Sequence, residues 1–295
     1  MAVAAVTRLI QRNPSATAVH NIVLRNPTAN GLALIFSNEY MKTPHWDTLT
    51  GTTIDAESMM STFECLNFAV HYNSNTTRKE LLDILHVVAS YKKYPLSYRR
   101  IVVVFSGHGT INQQLITEEG EPITVEEMLA VFYPETAPNL GGIPKLFFID
   151  ACRGDTGDPG VVVPKGCEDA TLRVPHHGNF LIAYSTMPNY KSFEQKGKGG
   201  IWMTSLAAKL RDEDASVLDI LTKVNEELMA RFQSLEMQMC VQQPELHSCL
   251  NEEVNLWREA VQATTTVLGI GKHLPESKIC GLAHMKVGSR HSATP

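Results

Sequence analysis

Short apolar runs of strand character recur along the chain, and most are followed by a segment of helical pattern. This alternation is the strongest constraint on the fold, because βα units close most readily on one mainly parallel sheet with helices against its faces. The runs are GLALIF (31–36), FAVHY (68–72), RIVVVF (100–105), KLFFID (145–150) and FLIAYS (180–185), with a weaker one in 247–256. Helices are predicted over 55–66, 77–91, 124–132, 200–211 and 216–233. Two of these open with a Thr-x-x-Glu capping box, Thr77 with Glu80 and Thr124 with Glu127, and Asp55 reads as the opening residue of the first. The fold class is therefore α/β, with a mainly parallel six-stranded sheet flanked by helices.

One stretch interrupts the rhythm. Residues 154–178 are rich in Gly, Pro and Asp and carry neither helical nor strand periodicity, so they read as a long loop between two halves. The expected organisation is an N-terminal arm (1–24), a folded unit (25–256) whose halves are 25–153 and 179–256, and a C-terminal tail (257–295).

A formal net charge of −5 over 295 residues, without a Lys/Arg cluster, implies neither a nucleic-acid nor a membrane partner. No apolar run reaches the roughly 18 residues that span a bilayer, and the first residues lack a signal-peptide core, so a cytoplasmic location is expected. The sequon at Asn75-Thr76-Thr77 is accordingly read as without consequence. Six cysteines at irregular spacing suggest neither a disulfide framework nor a zinc site.

Two strands end in reactive side chains. RIVVVF turns through Ser106-Gly107-His108-Gly109, and KLFFID turns through Ala151-Cys152-Arg153-Gly154. In a parallel sheet both turns lie at the carboxyl edge, where ligands bind. An imidazole there activates a neighbouring thiol as a nucleophile. The Gly109 and Cys152 amides are placed to hold an oxyanion. Taken singly, a buried cysteine and a strand-end histidine are ordinary structural residues. Together, each before a glycine, they point to catalysis.

The segments GTTIDAESM, SGHG, DACRG, AYSTMPNYKSF and GIWMTSLAAKL stand in the order and spacing of the caspase-fold cysteine peptidases, which the chain resembles over roughly residues 25–256. Within the superfamily of caspases, paracaspases and metacaspases it is closest to caspases in motif order. The resemblance implies the caspase-hemoglobinase fold, with His108 as catalytic histidine, Cys152 as nucleophile and Gly109 with Cys152 as oxyanion hole. It also implies a large-subunit region (25–153), an intersubunit linker (154–178), a small-subunit region (179–256), and a homodimer formed through residues near 247–256.

Caspases cut after aspartate with two arginines and the glutamine of their Gln-Ala-Cys motif. This sequence has Leu49, Glu194 and Asp150 at the matching positions. Two cations are lost and two anions gained, so the pocket resembles the acidic one of paracaspases and metacaspases and implies cleavage after Arg or Lys. Asp55 is read either as a third pocket carboxylate or as a helix cap. For Asp150 the other reading is a partner of Arg153 or of water, and for Glu194 an exposed loop charge. Ser192 and Phe193 match the strip on which an extended substrate peptide adds as a β-strand.

The implied reaction is peptide-bond hydrolysis by a Cys-His mechanism, which needs neither metal nor organic cofactor; calcium dependence is not indicated. Lys165 and Arg173 in the linker are candidate sites of self-cleavage. Three alternatives stay open at this point: an aspartate-specific caspase with a rearranged pocket, a non-catalytic caspase-like scaffold, and an unrelated α/β hydrolase or thiol enzyme.

Overall fold

In the computed structural model, the described residues are 26, 28–91, 98–140, 142–155, 179–195, 197–233 and 241–268. The central sheet is built from β1 (Gly31–Ser37), β2 (Phe68–Ser74), β3 (Arg100–Ser106), β6 (Lys145–Asp150), β7 (Phe180–Tyr184) and β10 (Glu245–Ser248). Two short hairpins stand outside it, β4 (Gln114–Ile116) with β5 (Pro122–Thr124), and β8 (Glu194–Gln195) with β9 (Gly199–Gly200). The helices are α1 (Gly51–Cys65), α2 (Arg78–Ser90), α3 (Val125–Ala130), α4 (Ile201–Asp212), α5 (Val217–Gln233) and α6 (Leu256–Leu268).

The sheet order is β10-β7-β6-β3-β1-β2, parallel throughout except for β10, which runs antiparallel to β7. The apolar runs at 31–36, 100–105 and 145–150 are hydrophobic without alternation because every residue of β1, β3 and β6 is buried, with helices on both faces. Leu81, Ile84, Leu85 and Val88 of α2, with Met128 and Leu129 of α3, pack under one face. Ala56, Met59 and Phe63 of α1, Trp202 and Leu206 of α4, and Leu221 and Val224 of α5 cover the other.

Both expected capping boxes are present. The Glu80 N–H donates to Thr77 Oγ1 at 3.2 Å and the Thr77 N–H to Glu80 Oε2 at 2.9 Å; at Thr124 and Glu127 the corresponding bonds are 3.1 and 2.8 Å.

The first helix begins at Gly51 rather than Asp55, which puts Asp55 in its second turn. The last strand is Glu245–Ser248, shorter and earlier than the weak run at 247–256. The folded unit also extends past residue 256, where a tail was expected. Leu256 and Ala260 of α6 are buried in the second core, and Glu259 pairs at 2.7 Å with Arg100 at the start of β3. The linker candidates Lys165 and Arg173 lie outside the described residues.

Chain order reverses between β1 and β3, since β2 lies on one side of β1 and β3 on the other. That switch opens a crevice at the carboxyl ends of the strands, the usual place for a site in such a sheet.

Candidate active site

The turns after β3 and β6 are held side by side by the sheet itself. Ser106 pairs with Asp150 in register, and the Gly107 N–H donates to the Asp150 carbonyl at 3.1 Å. His108 and Cys152 each follow the last ladder pair by two residues, and both line a cavity of about 110 Å³. Gly109 is required here by close approach, because a Cβ would fall 2.1 Å from the Cys152 carbonyl oxygen. The bonds from Thr110 N–H to the Gln114 carbonyl and from Ile116 N–H to the His108 carbonyl flank the Gly109–Leu115 bridge. They leave Gly109's own N–H directed away from Leu115, consistent with an oxyanion donor.

The His108 ring is fixed from three sides. Its Nε2 lies 2.7 Å from the Asp47 carbonyl oxygen, and the rings of Tyr40 and Trp46 flank it at centroid distances of 4.5 and 5.0 Å. A carbonyl only accepts, so in the neutral ring Nε2 carries the proton and Nδ1 is left as the base. The Tyr40 hydroxyl accepts the His108 backbone N–H at 2.8 Å and donates to the Ile116 carbonyl at 2.5 Å. None of Asp47, Tyr40 and Trp46 was singled out in the sequence. Asp47 acts through its backbone, which has no side-chain signature, and Tyr40 sits at a φ of 59° that no motif announces.

Burial pushes the Cys152 thiol up and Asp150 adds to the rise, while a backbone hydrogen bond from Ser192 and the Lys191 charge oppose it; as a thiol, Sγ donates to the Ser192 carbonyl at 3.8 Å. Burial pulls the His108 imidazole down, and the Asp47 carbonyl opposes that shift. Both directions favour the neutral thiol and the neutral imidazole over a preformed ion pair.

The rest of the cavity is acidic. Asp55, Asp150 and Glu194 line it together with Leu49, and its described lining contains no Lys or Arg. Asp55 is a pocket residue and not a helix cap. Its Oδ1 accepts the Gly200 N–H at 2.8 Å and its Oδ2 the Ser106 hydroxyl at 3.2 Å. Burial, reinforced by Asp150, pushes its carboxyl up to about 8. Asp150 accepts the Ser192 hydroxyl at 2.7 Å, and burial raises it as well. Glu194 is the most exposed of the three, with its carboxylate against Gly51 at the start of α1, where the helix dipole favours negative charge.

Arg153 does not pair with Asp150. It is buried on the far side, bonded to Glu245, Gln113 and the Thr186 carbonyl, with its guanidinium 4.0 Å from the centre of the Tyr184 ring. Ser192 and Phe193 line the cavity as expected. Behind them stands a residue the sequence reading passed over, Gln242, which is fully buried and bonded to both. Among the described residues no group of three or more His, Cys, Asp or Glu side chains is arranged to hold a metal ion.

Comparison with known proteins agrees with this fold. The solved structure of caspase-1 from Spodoptera frugiperda superposes with a TM-score of 0.68 at 27% sequence identity, covering 78% of this chain and 90% of that one. Caspase-1 of Drosophila melanogaster is 30% identical over 212 residues, 69% of this chain and 64% of that protein. Caspase drICE of the same species is 30% identical over 212 residues, 69% of this chain and 61% of that protein. The matched segment thus spans less than two thirds of both Drosophila proteins. Caspase-3 of Mus musculus is 29% identical over 70% of this chain and 75% of its own length. The family model described as the caspase domain matches residues 30–255, which include His108, Cys152 and all three pocket carboxylates, and the chain belongs to that family of cysteine peptidases.

Proposed function

We propose that this chain is an endopeptidase that cleaves after arginine or lysine. The observation that carries the reading is a cavity beside Cys152 lined by Asp55, Asp150 and Glu194 and, among its described residues, by no basic side chain that answers them. A substrate guanidinium supplies the missing partner, and its planar fork suits two carboxylates at once. The peptide lies extended along Ser192 and Phe193, beside the open edge of the two-stranded β8–β9 ribbon.

In the reaction, Cys152 Sγ attacks the scissile carbonyl as its proton passes to His108. The Gly109 and Cys152 amides hold the oxyanion, His108 protonates the leaving amine, and water releases the acyl-enzyme. A libraried set of peptides differing only at P1 tests the reading: arginyl and lysyl members are cleaved and aspartyl ones spared. The reverse order would overturn it.

One observation favours a second reading, aspartate specificity. Burial pushes Asp55 up to about 8 and raises Asp150 as well, and a protonated carboxyl donates a hydrogen bond to an anionic P1 side chain. Glu194 opposes such a residue, and the same peptide set separates the two.

Self-cleavage after Lys165 or Arg173 follows from the basic preference and is tested by mass spectrometry of the purified chain. A homodimer through the four-residue edge strand β10 is consistent with its unpaired side. A cytoplasmic location is proposed as well; no described helix is long and apolar enough to cross a membrane.

A further inference from the structure

Gln242 is 0% exposed and lies just before β10, yet two of its side-chain bonds run to Ser192 and Phe193, which line the cavity. Its Oε1 accepts the Phe193 N–H at 2.9 Å. Its Nε2 donates to the Ser185 carbonyl at 2.7 Å and to Ser192 Oγ at 3.2 Å. The orientation of the amide is forced by chemistry, because a backbone N–H requires the oxygen and a backbone carbonyl requires the nitrogen.

A direction follows for the whole chain of bonds. Ser192 Oγ accepts a hydrogen bond from Gln242 and donates its own hydroxyl hydrogen to Asp150 Oδ1 at 2.7 Å. The same amide pins Phe193 through its backbone, while the Phe193 carbonyl is occupied by the Ile201 N–H at 3.0 Å. One buried side chain thereby sets the position of the peptide-binding strip and the orientation of a pocket carboxyl. Such a linked polar network is worth more than its separate bonds.

We propose that Gln242 is a positioning residue for substrate, holding the 192–193 strip and, through the Ser192 hydroxyl, the Asp150 carboxyl in the geometry that receives the peptide. This rests on the peptidase reading above but not on which P1 residue is preferred. Gln242 bonds to neither Cys152 nor His108, and its one link to the thiol is indirect, through the long contact of Cys152 Sγ with the Ser192 carbonyl at 3.8 Å, so its loss acts mainly on binding.

The test uses the full chain with Gln242→Glu, which keeps size and the acceptor for Phe193 but removes both donor bonds, and with Gln242→Met. Kinetics are read on two peptides that differ only in P1 arginine or aspartate. For whichever peptide is cleaved, KM rises about tenfold or more in both variants while kcat changes less than about threefold, the split expected when ground-state binding is lost. Alkylation of Cys152 by iodoacetamide stays within about twofold of the parent, a readout that general loosening of the fold would move. Adding Ser192→Ala to Gln242→Met raises KM little further, because both changes cut one chain of bonds.

An unchanged KM, or a fall in kcat and alkylation rate together with a fall in melting temperature, overturns the proposal. A parent that prefers the aspartyl peptide overturns the P1 reading alone. Should neither peptide turn over, the peptidase reading fails, and the Kd of a Cys152→Ala background for the two peptides carries the same tenfold comparison. If Gln242→Met does not fold, the near-isosteric Gln242→Glu decides the matter by itself.

Discussion

The carboxyls of Asp55 and Asp150 converge on one point: the Oδ2 atom of each lies within 3.2 Å of the position that a Cβ would take on Gly200. Burial raises both carboxyls, and repulsion from Asp150 adds to the rise at Asp55 as repulsion from Glu194 does at Asp150. Asp55, pushed up to about 8, binds a proton in the folded chain that it releases near pH 4 when unfolded. Between those values the folded state holds more protons, so stability falls as pH rises. Asp55→Asn removes this term. Its melting temperature should exceed that of the parent by a margin that widens from pH 5 to pH 8, measured by thermal unfolding at each pH.

The same pair should make the proposed cleavage after arginine pH-dependent. A guanidinium in the pocket favours the ionised carboxyls and expels their protons, so KM for an arginyl peptide should fall as pH rises from 6 to 8. Asp150→Asn should lower kcat/KM for that peptide by about a hundredfold and the more exposed Glu194→Gln by about tenfold, in line with the greater worth of a buried charge pair. Steady-state kinetics on one arginyl substrate checks all three.

Gly200 should be tolerant of a side chain only when Asp150 is shortened. A methyl group there would fall 2.2 Å from Asp150 Oδ2 and 3.2 Å from Asp55 Oδ2. Gly200→Ala alone should lose most activity on arginyl peptides, and adding Asp150→Ala should restore the melting temperature without restoring arginyl cleavage. Independent, additive effects in this double variant would show that the two positions do not share the space.

How much of this was legible in the chain depended on whether a residue acts through its own side chain. Cys152 and His108 announced themselves because thiol and imidazole at successive strand ends have few other reasons to coincide. The Thr77 and Thr124 caps were equally plain, since both partners of each box lie in one turn. Asp55 was ambiguous because the start of α1 lacks a side-chain cap at Thr50, so no local signal marks the helix as beginning four residues earlier. The helix α6 was missed because its anchor is the distant Arg100, and Gln242 because its partners lie some fifty residues upstream. Pairings of that range are set by topology and leave no periodic trace.

Tyr40 bridges two backbone groups of the site through its hydroxyl. Tyr40→Phe strands the His108 N–H, at about 1–3 kcal/mol for an unpaired buried group, and leaves the Ile116 carbonyl with only the longer bond from Asn38 Nδ2 at 3.5 Å. The ring contact with His108 is retained, so the loss should appear as lower stability in chemical denaturation together with a fall in kcat, because the His108 backbone is released from its anchor.

Arg153 and Glu245 join the turn that carries Cys152 to the edge strand β10, with side chains only 5% and 13% exposed. Removing one member of a buried pair leaves an uncompensated charge, which costs about 3–5 kcal/mol. Glu245→Ala should therefore destabilise the chain by that amount in urea unfolding. The Gln113 and Thr186 contacts and the Tyr184 ring remain, and they keep the guanidinium from swinging into the acidic cavity. Replacing both residues, as Arg153→Met with Glu245→Leu, should recover most of the loss because the charge is removed along with its partner. If Glu245→Ala instead weakens arginyl cleavage in competition with free guanidinium, Arg153 has entered the pocket.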